Sequence, residues 1–104
     1  MAVRMRFTQE IIYGHYPKFA EAAQALAELA SKRGWAPGAM WMPVGGKNNI
    51  IVYEAEYDSL AEYEREASAI QGDAEFMATF REMGSHVVQG SAHTELFVSA
   101  PPST

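Results

Sequence analysis

The sequence predicts an α+β domain whose strands and helices follow the order β-α-β-β-α-β. The main observation is the stretch from Gly46 to Gly72, where a tight turn leads into a strand and the strand leads directly into a helix. The second observation is that apolar residues elsewhere recur at the spacing of a strand in some segments and of a helix in others. With 104 residues, the chain is long enough for one domain with a single core.

The N-terminal third predicts a strand followed by a helix. From Ala2 to Tyr13, apolar residues first alternate with polar and charged ones, which is typical of a strand with one polar face. Pro17 suits the first position of a helix, where its missing N–H costs nothing, and Gly34 suits the left-handed position that ends one. The apolar residues between them recur at helical spacing and should form the buried stripe: Phe19, Ala22, Ala23, Leu26, Leu29 and Ala30.

The middle of the chain predicts two more strands. A short strand from Ala39 to Val44 contains Pro43, which cannot donate to a neighbouring strand, so we expect this strand at the edge of the sheet. After the Gly45–Asn48 turn, a second strand is predicted from Ile50 to Tyr57.

A helix interrupted once follows the third strand. Ser59 can cap its first turn, and Glu62 stands three residues later, where it could reach back to the Ser59 amide. The helical pattern breaks at Gly72, and Asp73 can cap a new segment that ends at Gly84. A last strand is predicted from His86 to Val98, with a bulge or kink at Gly90. Residues 1–99 are then expected to form a single domain, and residues 100–104 a frayed tail.

This order is that of ferredoxin-like domains, in which two crossovers place the helices on one face of a four-stranded antiparallel sheet. The other face of a lone sheet would be wet, and each strand should then alternate between apolar and polar residues. Ile50 to Tyr53 is instead apolar on both faces, and Ile11-Ile12 and Val87-Val88 show the same doubling. A second copy of the sheet is the simplest cover, so the sequence predicts a homodimer with two facing sheets.

Composition excludes several classes of function. The chain has no cysteine, which removes thiolate nucleophiles and disulfides and favours a cytoplasmic protein. The formal net charge of −5 and the lack of a basic stripe argue against a nucleic-acid partner. No apolar run approaches the length of a membrane span, and no apolar segment of a secretory signal follows Arg4 and Arg6, so neither a membrane partner nor secretion is expected.

Several motifs in the middle half of the chain resemble the NIPSNAP-type branch of the dimeric α/β barrel superfamily. They are Trp41 followed by Gly46-x-x-Asn49, a strand that ends in Tyr57-x-Ser59, and the broken helix with Asp73 and Phe76. The antibiotic-biosynthesis-monooxygenase and stress-responsive barrel families are similar to a lesser degree. The resemblance implies a homodimeric α/β barrel with a cavity between sheet and helices in each subunit, and it implies no particular catalytic residue.

Three histidines are the first candidates for chemistry. His15 precedes the first helix, His86 follows the broken helix and His93 lies in the last strand. A neutral imidazole can act as a base near pH 7. His15 and His86 are the candidate catalytic residues because each lies at the end of an element; the alternative is that they cap helices or face solvent. Their spacing matches no metal motif, so neither a metal nor a cofactor is expected.

Charged residues on two strands are a further candidate site. Arg4, Arg6 and Glu10 share one side of the first strand, which in this topology neighbours the strand that carries Glu54 and Glu56 on one side. Cross-strand ion pairs inside a dimer interface account for these charges, since charges removed from water need partners. A catalytic carboxylate with a raised pKa is the alternative.

Aromatic and methionine side chains suggest a pliable apolar interior that could hold a flat ligand. The candidate ligand-binding residues are Tyr13, Phe19, Leu26, Trp41, Tyr53, Phe76, Phe80 and Met83. Two functions follow. The first is a small-molecule-binding protein, whose catalytic form would be a cofactor-free oxygenase, isomerase or cyclase on an apolar or aromatic substrate. The second is a non-catalytic dimerisation or binding module. A haem-binding barrel is a further alternative, which the resemblance alone suggests.

Overall fold

The computed structural model describes residues 2–100, and within them it contains a four-stranded antiparallel sheet and three helices. The strands are β1 (Val3–Glu10), β2 (Gly38–Trp41), β3 (Ile50–Tyr57) and β4 (His93–Val98). The helices are α1 (Tyr16–Arg33), α2 (Leu60–Gln71) and α3 (Ala74–Gly84). The strand order β2-β3-β1-β4 is that of a ferredoxin-like domain, as predicted, with β2 at an edge. No helix in this part of the chain is both long enough and apolar enough to cross a bilayer.

The helix ends form where the sequence places them. Gly34 adopts the left-handed conformation, with φ 72°, and its N–H caps carbonyls of the last turn of α1. The Ser59 hydroxyl accepts the N–H of Glu62 at 3.2 Å, and Asp73 Oδ1 accepts the N–H of Phe76 at 3.0 Å. The Glu62 carboxylate pairs with Arg65, one turn along α2.

Strand boundaries differ from the prediction at three places. β1 stops at Glu10, and only an isolated bridge between Ile11 and Val87 continues it. β2 runs from Gly38 to Trp41 and ends before Pro43, which has no N–H to donate.

The prediction of a last strand from His86 was wrong in its first half, since β4 begins at His93. The segment before it is a turn held by Ser91, whose hydroxyl accepts the N–H of Glu10 at 3.1 Å and donates to the carbonyl of Val88 at 2.6 Å. Gly90 has φ 81° and reverses the chain there. Of the tail predicted at residues 100–104, residues 101–104 lie outside the part of the chain that the structure describes.

One face of the sheet packs against the helices. Phe19 of α1, Met83 of α3 and Ile51 of β3 are buried in one cluster, and the ring of Phe7 lies 6.1 Å from that of Phe80. The remaining buried members of this cluster are Ile11, Ala22 and Leu26. The alternation of side chains along β1 and β3 then assigns Ile51, Tyr53, Ala55 and Tyr57 to the helix face and the residues between them to the other.

The other face, here called the outer face, has no helix packed on it within residues 2–100. Its cross-strand neighbours include the predicted ion pairs, Arg4 with Glu56 at 2.6 Å and Arg6 with Glu54 at 2.7 Å. Glu10 pairs instead with Lys47 in the β2–β3 turn. Beside these charges, Trp41 of β2 and Val52 of β3 stand directly opposite each other as a short apolar row, which the polar side chain of Thr8 ends on β1. The outer face is therefore a mixture of paired charges and exposed apolar surface.

Candidate functional site

The two histidines at helix ends come together at one end of the sheet. This is the upper end, where β1 and β2 finish and β3 and β4 begin. Nδ1 of His15 lies 3.1 Å from Nδ1 of His86, and the ring centroids are 5.3 Å apart with a tilt of 54° between the rings. Both side chains are half-buried. Sequence spacing alone could not give this contact, because 71 positions separate the two residues.

The backbone around each histidine fixes its position. The N–H of His15 donates to the carbonyl of Ile12 at 2.9 Å, and the carbonyl of His15 accepts the N–H of Phe19 at 2.9 Å in the first turn of α1. The N–H of His86 donates to the carbonyl of Met83 at 3.1 Å, and its own carbonyl accepts the N–H of Ile12 at 3.0 Å. Ile12 thus joins both histidines, so the pair is held by the strand end as well as by the helix ends.

A cleft of about 230 Å³, here called the Tyr13 cleft, lies at the same upper end. Gly14 and Tyr16, the two chain neighbours of His15, belong to its wall. The other lining residues are Ile11, Ile12, Tyr13, Met42, Asn48, Asn49, Ile50 and Ile51. The wall is thus mainly apolar and aromatic, with two amides, which is the composition of sites for flat apolar molecules.

Hydrogen bonds hold the Tyr13 cleft in shape. The side-chain amide of Asn49 donates to the carbonyl of Ile11 at 2.9 Å, and the N–H of Ile11 donates to the carbonyl of Asn49 at 2.7 Å. The hydroxyl of Tyr16 lies 3.7 Å from the sulfur of Met42, so α1 and the end of β2 meet across the opening. Asn49 is therefore a scaffold residue, a role that its place after the turn did not reveal.

A second cleft, of about 350 Å³, lies at the opposite, lower end of the sheet and is here called the Tyr57 cleft. Glu66 of α2 accepts the hydroxyl of Tyr57 and the N–H of Ala36, the latter at 2.6 Å. Burial first, and then the hydrogen bond to Glu66, raises the pKa of Tyr57. The phenol therefore stays protonated and acts as a hydrogen-bond donor to the carboxylate.

The Tyr57 cleft is more polar than the Tyr13 cleft. Its wall includes Glu56, Asp58, Glu62 and Arg65, and two of these carboxylates already have cationic partners. Sequence analysis did not single out Glu66 as a functional residue. The available signal was its helical spacing of four from Glu62, which places both carboxylates on one side of α2 next to the end of β3.

The predicted ligand-binding residues divide among three places. Tyr13 lies in the wall of the Tyr13 cleft and is 77% exposed. Phe19, Leu26 and Met83 are buried in the core, and Phe76 and Phe80 pack against them. Tyr53 lies on the helix face opposite Met40, and Trp41 is 58% exposed on the outer face. The structure brings His15 and His86 into contact and puts Tyr13 in a cleft at the same end of the sheet, whereas the core residues and Trp41 belong to other surroundings.

The described residues offer no cluster of three or more histidine or acidic side chains placed to hold a metal ion. His93 is exposed and lies near Ser91 and Glu95, on the outer face of β4 and apart from the other two histidines. At the upper end of the sheet, the paired imidazoles of His15 and His86 are the groups suited to proton transfer.

Comparison with solved structures confirms the fold. A NIPSNAP family protein from Agrobacterium tumefaciens superposes with a TM-score of 0.78 at 12% identity, over 98% of this chain and 89% of that one. An uncharacterised NIPSNAP domain protein from Burkholderia xenovorans gives 0.78 at 22% identity, over 99% of this chain and 100% of that one. SnoaB, a cofactor-independent oxygenase from Streptomyces nogalater, gives 0.71 at 12% identity, over 97% of this chain and 95% of that one.

Similarity at the level of sequence is low. No protein-family model matches the chain, and no curated protein is similar to it. The chain therefore has the ferredoxin-like fold of NIPSNAP family proteins and of an oxygenase, as its motifs indicated, and the likeness extends to the fold alone.

Proposed function

We propose that this protein binds an apolar or aromatic small molecule in the Tyr13 cleft, as a cytoplasmic homodimer, and acts on it without a cofactor. One observation supports the proposal above the others: a hydrogen-bonded pair of half-buried imidazoles lies at the same end of the sheet as a cleft with a mainly apolar wall, and His15 stands in the chain between two residues of that wall. The cleft supplies binding through apolar contact, and an imidazole is the side chain best suited to take or give a proton near neutral pH.

A cofactor-independent oxygenase with the same fold is consistent with this proposal. Oxygenation, isomerisation and cyclisation of an aromatic or polyketide-like molecule can each begin with the loss of a proton from the substrate. A base beside an apolar cleft is what such a first step requires. The histidine pair meets that requirement with residues of this chain.

A second copy of the chain is the proposed cover of the outer face. That face carries Trp41, 58% exposed, and Phe97, 41% exposed, with the guanidinium of Arg6 4.9 Å from the centre of the Phe97 ring. Because no helix within residues 2–100 lies over it, the sheet of a partner copy can bury these groups and leave the cross-strand ion pairs satisfied.

Titration of the protein with 2-naphthol, followed by the fluorescence of the ligand, tests the binding proposal. We expect saturable binding, and we expect Tyr16→Ala to weaken it by about tenfold, since burying an aromatic ring contributes about 1.5–3 kcal/mol and about 1.4 kcal/mol is tenfold in Kd. Tyr63→Ala is the matched control, because Tyr63 packs edge-on against Tyr57 at the lower end of the sheet.

The outcomes separate the two proposed classes of function. Equal weakening by both variants would place the ligand elsewhere and contradict the proposed site. If 2-naphthol does not bind saturably and the protein is still a dimer, the dimerisation module becomes the better account.

A further inference from the structure

The contact between the two histidines determines where their protons can be. Two imidazoles whose Nδ1 atoms lie 3.1 Å apart form a hydrogen bond only if one Nδ1 carries a proton and the other does not. In the neutral pair, the ring that donates through Nδ1 has a bare Nε2, and the ring that accepts through Nδ1 has its proton on Nε2. One ring therefore offers a base at Nε2 while the other offers an acid at the same atom.

Both Nε2 atoms are available for chemistry. Among residues 2–100, the hydrogen bonds of His15 and His86 side chains run only between the two Nδ1 atoms, so neither Nε2 is engaged by the protein. Both histidines are half-buried. Gly14 and Tyr16 on either side of His15 belong to the wall of the Tyr13 cleft, so His15 adjoins that wall in the chain, while the two imidazoles themselves lie outside the lining.

We propose that His15 and His86 are a proton relay that isomerises enolisable apolar molecules, such as aryl ketones, bound in the Tyr13 cleft. This inference rests on the proposed binding function and names the substrate class and the reaction. The bare Nε2 of one ring takes a proton from the carbon next to the carbonyl, and the electron pair of that C–H bond moves to form the enolate.

The relay then returns a proton and conserves atoms and charge. The first ring, now an imidazolium, passes its Nδ1 proton to the bare Nδ1 of the second ring. The second ring releases its Nε2 proton to the enolate, at oxygen or at a different carbon. The substrate leaves as an isomer of the same formula and charge. Both rings end neutral, with the direction of their hydrogen bond reversed.

A reversed hydrogen bond is itself productive, because the second ring now has the bare Nε2. The pair can therefore run the reaction in either direction from either tautomeric state, and neither histidine is base or acid permanently. Loss of one ring removes the relay as completely as loss of both. This is the property that distinguishes a relay from two independent bases.

The tautomers provide a test that needs no ligand. The protein is labelled with ¹⁵N-histidine, and long-range ¹⁵N–¹H correlation spectra report which ring nitrogen carries the proton. For His15 and His86, we expect either one ring in the Nδ1–H tautomer and the other in the Nε2–H tautomer, or averaged shifts of both nitrogens in each ring if the two states exchange rapidly. His93, which is exposed, provides the reference signal. Both rings in the ordinary Nε2–H tautomer would leave two bare Nδ1 atoms facing each other and would overturn the relay.

Proton transfer is tested with 2-tetralone, an aryl ketone with acidic C–H bonds. In D₂O, we expect the protein to exchange these hydrogens faster than free imidazole at equal concentration, as followed by ¹H NMR. His15→Asn and His86→Asn should each lower the rate by at least about tenfold, the lower part of what general acid–base catalysis contributes, and the double variant should be no slower than either. His93→Asn is the matched control and should keep the full rate.

The outcomes distinguish the relay from the binding proposal. If 2-tetralone binds but does not exchange faster than with imidazole, or if the two single losses multiply in the double variant, the relay is refuted and the binding function stands. If neither 2-tetralone nor 2-naphthol binds, the proposed function fails, and the tautomer spectra alone decide whether the proton is shared.

Discussion

Gly38 in the edge strand β2 is a position where the structure allows no side chain. A Cβ added there would lie 2.1 Å from Cζ and from the hydroxyl oxygen of Tyr53, and 2.5 Å from Cε1. Carbon atoms in contact normally lie about 3.5–4.0 Å apart, so the ring would have to move by more than an ångström. The ring of Tyr53 covers the glycine, and its own burial raises the pKa of the phenol.

We therefore expect Gly38→Ala to destabilise the protein by about 1–2 kcal/mol. Overpacking of this kind costs about 1–3 kcal/mol, and replacing a glycine within a strand returns about 0.5–1 kcal/mol through the entropy of the unfolded chain. With the urea dependence typical of small proteins, about 1–3 kcal/mol per molar, the unfolding midpoint should fall by roughly 0.3–2 M. All variants are compared at one protein concentration, because a dimer unfolds in a concentration-dependent way.

Two further variants identify the cause. In a Tyr53→Ala background, Gly38→Ala should cost nothing, which gives a coupling free energy of about 1 kcal/mol or more between the two positions. Gly45→Ala is the control, since nothing lies within 4 Å of its added Cβ and its backbone is not in the left-handed region, so we expect a change within about 0.5 kcal/mol. An unchanged midpoint for Gly38→Ala, or an equal cost with and without the Tyr53 ring, would refute the reasoning.

Two other predictions concern the outer face and the link between helices. Val52→Lys should convert a dimer into a monomer in sedimentation at micromolar concentration, because it puts a charge into the apolar row. Val44→Lys, in the exposed β2–β3 turn, is the control and should leave the dimer intact. A monomeric wild-type protein would contradict the predicted dimer. Arg33 lowers the pKa of Asp73, so this pair stabilises the fold above the ordinary aspartate pKa of about 4 and ceases to do so as the pH falls through the lower, folded value. Asp73→Asn keeps an N-cap and should flatten the loss of stability in acid; an unchanged acid profile would contradict the pairing.

Local sequence signals predicted the elements well where a single residue type decides the backbone. Pro17, Gly34 and Asp73 each mark a helix end in the structure as they do in the sequence. β3 has the predicted bounds, from Ile50 to Tyr57, because a turn precedes it and a helix cap follows it at once. Cross-strand pairing of Arg4 and Arg6 with glutamates also followed from the topology.

The errors arose where the tertiary structure overrides an apolar pattern. Val87 and Val88 favour a strand by type, yet Ser91 and Gly90 close a turn directly after them. The bulky residues of the two helical stripes, with Phe19 only 1% exposed, fill the core, and their proposed part in ligand binding stays a prediction. Apolar spacing indicates which face of a helix is buried, and it contains no information on where packing leaves a gap.

The positions of both clefts follow from the strand order. β1 and β4 are neighbours and antiparallel, so the end of β1 lies beside the start of β4. α1 begins just after β1, and α3 ends just before β4, so residues at those two helix ends must meet at the upper end of the sheet. His15 and His86 occupy these two positions. Once the βαββαβ order is accepted, their proximity is a consequence of topology, although the 3.1 Å contact depends on side-chain packing.

At the lower end of the sheet, the strand order likewise accounts for a second, different site. There α1 ends before β2, and β3 ends where α2 begins, so Ala36, Tyr57 and Glu66 converge. There, the hydroxyl of Tyr57, a phenol with a raised pKa, donates its hydrogen bond to the carboxylate of Glu66. No imidazole among the described residues stands at this end as a base. Proton transfer near neutral pH is therefore expected at the upper end, where two imidazoles meet, and the lower end is expected to hold the α1–β2 connection and α2 in place.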